Sequence, residues 1–133
     1  MKTLLDANVL IALVDRAHEH HRSASKWAAP ADTESLLTCP TVENAALRYL
    51  IRTDVPAGDA HAILESVRDD QRFSFVSETT PMRRESLTGV IGYRQVTDVY
   101  LCQIARRSHA KLATFDRGLG ILRPTDTLVI SVR

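Results

Sequence analysis

The sequence predicts an α/β fold, a mostly parallel sheet with helices on both faces. Two observations carry that prediction. Short apolar runs of strand length alternate with segments whose apolar residues recur at helical spacing. The 133 residues also contain no internal repeat, low-complexity tract or dividing linker, so 1–133 reads as a single domain.

Residues 2–5 are a short apolar run, read as a buried strand, and 8–15 continue as a helix. Residues 19–28 make a second helix. SLLTC (35–39) is another buried strand, stopped by Pro40. Apolar spacing is helical over 41–52, and after the Pro56-Ala57-Gly58 break a further helix spans 57–70. Residues 73–77 alternate as a strand, and 82–92 read as a helix behind Pro81. The next helix, 97–108, takes Thr97 as its N-cap. Residues 111–115 and TLVISV (127–132) supply the last strands. In open parallel sheets ligands bind beyond the carboxyl ends of the strands, so function is to be sought there.

Composition narrows the class. Hydrophobic residues make up 44% and charged residues 25%, an ordinary globular balance. No apolar run approaches the ~20 residues that span a bilayer. The opening MKTLLD puts a carboxylate where a signal peptide needs its apolar stretch, so the expected location is the cytoplasm, away from membranes. Cys39 and Cys102 are isolated thiols in apolar surroundings, read as core residues rather than a disulfide. A net charge of +1 announces no basic field. The 14 Arg against 3 Lys would suit phosphate, whose oxygens match the guanidinium fork, but GC-rich codon usage explains the bias equally well.

Four acids differ from the rest. Asp6, Glu43 and Asp116 each follow a predicted strand, and Asp98 opens a helix. Glu43 leads a face with Leu47 and Leu50, and Asp98 leads Leu101, Cys102 and Ala105. As first-turn acids, Glu43 and Asp98 would gain ~0.3–1 kcal/mol from the helix dipole, with Asp6 and Asp116 as turn or cap residues. That bland reading does not explain why the same acids sit on apolar faces. Convergent carboxylates ~5 Å apart repel by about 3 kcal/mol per pair at an effective dielectric of ~20. A divalent cation relieves this, and an all-oxygen set selects Mg²⁺ or Mn²⁺ over Zn²⁺. Such a metal can activate water and stabilise charge on a phosphoryl oxygen.

LLDANVLIAL (4–13), TVENAALR (41–48), QVTDVYL (95–101) and LATFDRGL (112–119), in that order, resemble the motifs of PIN-domain ribonucleases. Within that family the likeness is to VapC toxins of type II toxin–antitoxin modules, particularly their actinobacterial branch, and it runs from residue 1 to about 129. The resemblance implies a PIN-like three-layer sandwich with four to five strands, usually as a homodimer. It implies Mg²⁺-dependent endonucleolytic cleavage of tRNA or ribosomal RNA, with Mn²⁺ substituting, and a VapB-type antitoxin as partner. Carried over by motif, Asp6 and Asp98 are the core metal ligands. Glu43 and Asp116 complete the quartet, holding a second metal or orienting the water. Asn8 and Thr114 are hydrogen-bonding groups that position the carboxylates. Two positions depart from the pattern: Ala7 stands where many members carry a hydroxyl, and Gly118 where some carry an acid or amide.

Other features are read more plainly. His18-Glu19-His20-His21 lacks the i, i+4 histidine pair of a zinc site and reads as a solvated turn and helix start. Trp27 is core or interface, and Asp59, Glu65 and Arg68 form a solvated face. Arg48, Arg94 and Arg117 lie near the acids in sequence and are assigned surface or structural roles. Ser23, Ser25 and the histidines form no nucleophilic triad. The rivals are a phosphatase of the haloacid dehalogenase or receiver type, which would want an acid where Asn8 stands, and an inactive PIN-like binding module, which would lack one of the four acids. No GxGxxG follows the first strand, which disfavours a dinucleotide-binding protein.

Overall fold

The computed structural model describes residues 1–132. Its strands are β1 (Thr3–Leu5), β2 (Leu36–Thr38), β3 (Phe73–Phe75), β4 (Lys111–Thr114) and β5 (Thr127–Val129). The helices are α1 (Ala7–Val14), α2 (His21–Ala28), α3 (Pro40–Arg52), α4 (Ala57–Asp69), α5 (Gln95–Arg107) and α6 (Arg117–Leu122), with a 3₁₀ turn at Arg84–Leu87. All pairings are parallel and the sheet order is β3-β2-β1-β4-β5. The predicted α/β class and parallel sheet are therefore observed.

The order fixes where a site can form. From β1 the chain steps outward to β2 and β3, then returns past β1 to β4 and β5. Right-handed crossovers put α1–α4 on one face and α5 and α6 on the other. The direction reverses between β1 and β4, and that switch opens a crevice at their carboxyl ends. The two strands are registered with Leu4 opposite Leu112 and Leu5 opposite Ala113. These central residues are wholly buried, with Val9, Leu10, Val42, Leu101 and Leu64 above and below them. Near-continuous apolar runs are what a strand covered on both faces requires.

Three expectations change. Residues 82–92 are not an α-helix: beyond the 3₁₀ turn, Gly89 takes a left-handed φ of 81° and the strap runs irregularly. Its backbone polar groups are met from outside, as Gln103 accepts from Arg83 N–H and Arg123 donates to the Ser86 and Thr88 carbonyls. The fifth helix starts at Gln95 rather than with Thr97 as its cap, because Gln95 Oε1 takes the Ile91 and Gly92 N–H groups and secures the entry itself. Finally, α6 was not anticipated, since Gly118 and Gly120 mask a helix in the sequence. Gly120 is needed there: a Cβ would lie 2.5 Å from Val129 Cγ2.

Cys39 and Cys102 are free and buried, as expected, and burial pushes their thiols up to about 11 and about 12. Among the described residues no helix is long and apolar enough to cross a membrane.

Candidate active site

At the end of β1 the chain leaves the sheet through Asp6, which caps α1. Asp6 Oδ1 accepts the Ala7 N–H at 2.7 Å, and Oδ2 accepts the Thr114 hydroxyl at 2.7 Å. Thr114 is the last residue of β4, so this bond closes across the switch point. The same hydroxyl oxygen accepts the Asp116 N–H at 3.1 Å. Asp116 in turn caps α6, its Oδ1 accepting the Leu119 N–H at 3.1 Å. The cap reading of Asp6 and Asp116 thus holds alongside their convergence, and Thr114 ties the two strand ends together.

Asp98 enters from the opposite layer, one turn into α5, which packs on β1 and β4. Burial raises its carboxyl to about 6, and the charges of Asp6 and Asp116 push in the same direction. Asp6, only 6% exposed, is also raised, first by burial and further by Asp116, against the downward pull of its Thr114 and Ala7 bonds. Asp98 therefore feels the charges of both Asp6 and Asp116, and Asp6 feels that of Asp116.

Glu43 stands differently. It is 3% exposed in the first turn of α3. The Thr38 hydroxyl donates to Oε2 at 2.8 Å, and Arg68 Nη2 donates to Oε1 at 2.6 Å. Both oxygens have protein partners one strand away from the trio. Arg68, expected on a solvated face, instead reaches across from α4 to neutralise a buried acid. Nothing in the spacing of 43 and 68 signals that pair. The threonines did offer a signal: Thr38 and Thr114 each end a strand shortly before an acid and each donates to a carboxylate.

Asn8 shows what the crevice lacks. Its Oδ1 is buried two residues beyond Asp6 and accepts no hydrogen bond, and no bond links its side chain to Asp6 among the described residues. A buried acceptor without a donor is costly, and the water shell of a hard cation would supply one. Among the described residues no three of His, Cys, Asp and Glu are gathered closely enough to hold a metal ion between them as they stand. The all-oxygen donors, the raised carboxyls and the orphaned amide oxygen together fit Mg²⁺ or Mn²⁺.

The histidine turn is packed rather than solvated. His21 Nδ1 donates to the Ala12 carbonyl at 2.7 Å, and His20 and His18 make tilted ring contacts with Phe115 at 5.0 Å and Tyr49 at 6.3 Å. Trp27 is half-buried against the core, as expected, and lines a hollow with Arg22, Lys26 and Leu128 that none of the four acids borders. Arg48, Arg94 and Arg117 are exposed.

A PIN domain profile matches residues 3–123. Ribonuclease VapC29 of Mycobacterium tuberculosis is 40% identical over 134 residues, covering 96% of this chain and all of that protein. Ribonuclease VapC38 of the same species is 31% identical, covering 87% of this chain and 86% of the other. In three dimensions the fold resembles the crystal structure of M. tuberculosis VapC20, described as a sarcin-ricin-loop-cleaving toxin. The TM-score is 0.68 over 91% of this chain and 95% of that one, at 13% sequence identity.

Proposed function

This chain belongs to the PIN-domain family, and on that premise we propose that it is a metal-dependent endoribonuclease, the toxin of a VapBC-type module. The observation that carries the reading is the gathering of acids at the switch between β1 and β4, where the Thr114 hydroxyl binds Asp6 and receives the Asp116 N–H, and the charges of Asp6 and Asp116 both act on Asp98. Ribonuclease relatives matched along nearly the whole chain support RNA as substrate. A tRNA or ribosomal RNA target, a VapB-type antitoxin, a homodimer and cytoplasmic action belong to the same proposal.

Asp6, Asp98 and Asp116 would hold the cation, with Asn8 Oδ1 accepting from its water shell. Bound Mg²⁺ or Mn²⁺ supplies Lewis-acid polarisation of a phosphoryl oxygen and an acidified water for in-line attack. The chain's own residues do the rest. Thr114 and the Ala7 N–H hold both oxygens of Asp6, so that carboxylate is oriented before substrate arrives. Asp98, its carboxyl raised to about 6 by burial and by Asp6 and Asp116 when the crevice is empty of cations, is mostly ionised at neutral pH. Glu43 stays with Arg68, so the trio suits one cation, and a second would require Arg68 to release the fourth acid. Exposed Arg48 and Arg117, close in sequence to the acids, offer positive charge to the RNA backbone.

The test is cleavage of a mixed labelled tRNA and ribosomal RNA pool in Mn²⁺, wild type beside Asp98→Asn, with a chelator control. Discrete fragments from metal-loaded wild type alone are expected. Equal cutting by both proteins would reveal a contaminant and remove the support.

A further inference from the structure

The strap between β3 and α5, just ahead of the helix that carries Asp98, holds two highly exposed side chains: Tyr93 is 80% and Ile91 95% exposed. Resting on the ribonuclease reading above, we propose that Tyr93 and Arg94 form a stacking platform for an unpaired RNA base flanking the scissile phosphate.

The strap is pinned at its base. Gln103, one of the few buried polar residues, accepts from Arg83 N–H and the Ser86 hydroxyl and donates to the Pro81 carbonyl. The Tyr100 hydroxyl donates to the Thr80 carbonyl, and Arg123 donates to the Ser86 and Thr88 carbonyls. At the far end, Gln95 Oε1 gathers the N–H groups of Ile91 and Gly92. A segment secured this fully presents its apex in one orientation, which lowers the ordering cost of binding.

The apex has the chemistry of base recognition. The Arg94 guanidinium lies over the Tyr93 ring, 5.6 Å from its centroid, and its Nε donates to the Tyr93 hydroxyl at 3.2 Å. The guanidinium thus sits beside the hydroxyl end of the ring, and the 80% exposure leaves the ring open to a base. Unpaired bases stack on aromatic rings and on guanidinium planes, and Arg94 adds attraction for the adjoining phosphate. Arg83 and Arg84 are exposed on the same strap. Charge separates this face from a plain apolar patch: a second copy of the chain would bring the same arginines against themselves.

Position completes the case. Arg94 precedes the first residue of α5, and Asp98 lies four residues on, about 6 Å of helical rise. A base held at Tyr93 would therefore lie one helical turn along the chain from Asp98.

The test uses the Asp98→Asn protein, which leaves RNA uncut, and a short unstructured labelled RNA beside a fully paired duplex of equal length, at fixed salt. Fluorescence anisotropy should show Tyr93→Ala weakening single-strand binding about tenfold, ~1.4 kcal/mol. Tyr93→Phe should match the parent, Tyr93→Leu should resemble Ala, and duplex binding should be unmoved. Because Tyr93 is exposed, coincident thermal melts confirm that each variant is folded. Parent-like binding by Tyr93→Ala, or full binding by Tyr93→Leu, overturns the platform while the nuclease reading stands. So does sedimentation showing that Tyr93→Ala dissociates a dimer without changing RNA affinity. A parent that binds no RNA, from a wild type that cuts none, overturns both.

Discussion

Arg68 Nη2 lies 2.6 Å from Glu43 Oε1, joining a half-exposed guanidinium on α4 to a carboxylate that α3 buries against β2. The pair makes the fourth acid a neutralised one, whereas the other three share a crevice without a cation of their own. Removing one partner of such a pair leaves an uncompensated buried charge. Arg68→Ala should therefore lower the metal-free stability by about 2 kcal/mol in urea unfolding. Glu43→Gln in the same chain should recover most of that loss, because the stranded charge is gone.

The metal-free protein should grow more stable as it is acidified from pH 7.5 toward pH 5. Asp98 has a folded-state pKa of about 6 against an ordinary 3.8, so the folded protein binds the extra proton in that window. Its stabilising contribution is complete below 3.8 and lost as pH rises through about 6. Urea midpoints in chelator should show this slope, and Asp98→Asn should flatten it and raise stability at pH 7.5. Added Mn²⁺ should reverse the wild-type trend, since cation and proton compete for the same acids.

Thr114→Val keeps the shape of β4 but removes the donor to Asp6 and the acceptor for the Asp116 N–H. Loss of a group that orients a ligating carboxylate typically costs 10–100-fold. Mn²⁺ affinity by calorimetry should fall by about that factor. Unchanged affinity would mean that Asp6 needs no such orientation.

Two glycines should answer oppositely to alanine. At Gly120 a Cβ meets Val129 Cγ2 at 2.5 Å, so Gly120→Ala should cost about 1–3 kcal/mol by overpacking α6 on β5. At Gly58, in the first turn of α4, nothing lies within 4 Å, and Gly58→Ala should gain stability, by less than the ~1 kcal/mol of a mid-helix site. Thermal melts of the pair decide both.

Periodicity made the five strands and five of the helices legible, because the central strands write themselves as short apolar runs, the β3 edge as alternation and the helices as helical spacing. It failed where structure is held by side-chain bonds across the chain. The strap before α5 read as a helix because its apolar residues are numerous, yet Gln103 and Arg123 satisfy its backbone and leave Ile91 and Tyr93 outside. The acids were legible as acids on apolar faces. Their sorting into a coupled trio and a paired Glu43 was not, because Arg68 lies on another helix and no spacing rule connects them.

Calorimetric titration of the folded, metal-free protein with Mn²⁺ at neutral pH bears most directly on the trio, run on wild type, Asp98→Asn and Glu43→Gln. Binding by wild type that Asp98→Asn weakens at least about tenfold (~1.4 kcal/mol), with Glu43→Gln close to wild type, is the predicted result. Equal affinity for wild type and Asp98→Asn, with both proteins folded, would contradict a cation held by Asp6, Asp98 and Asp116.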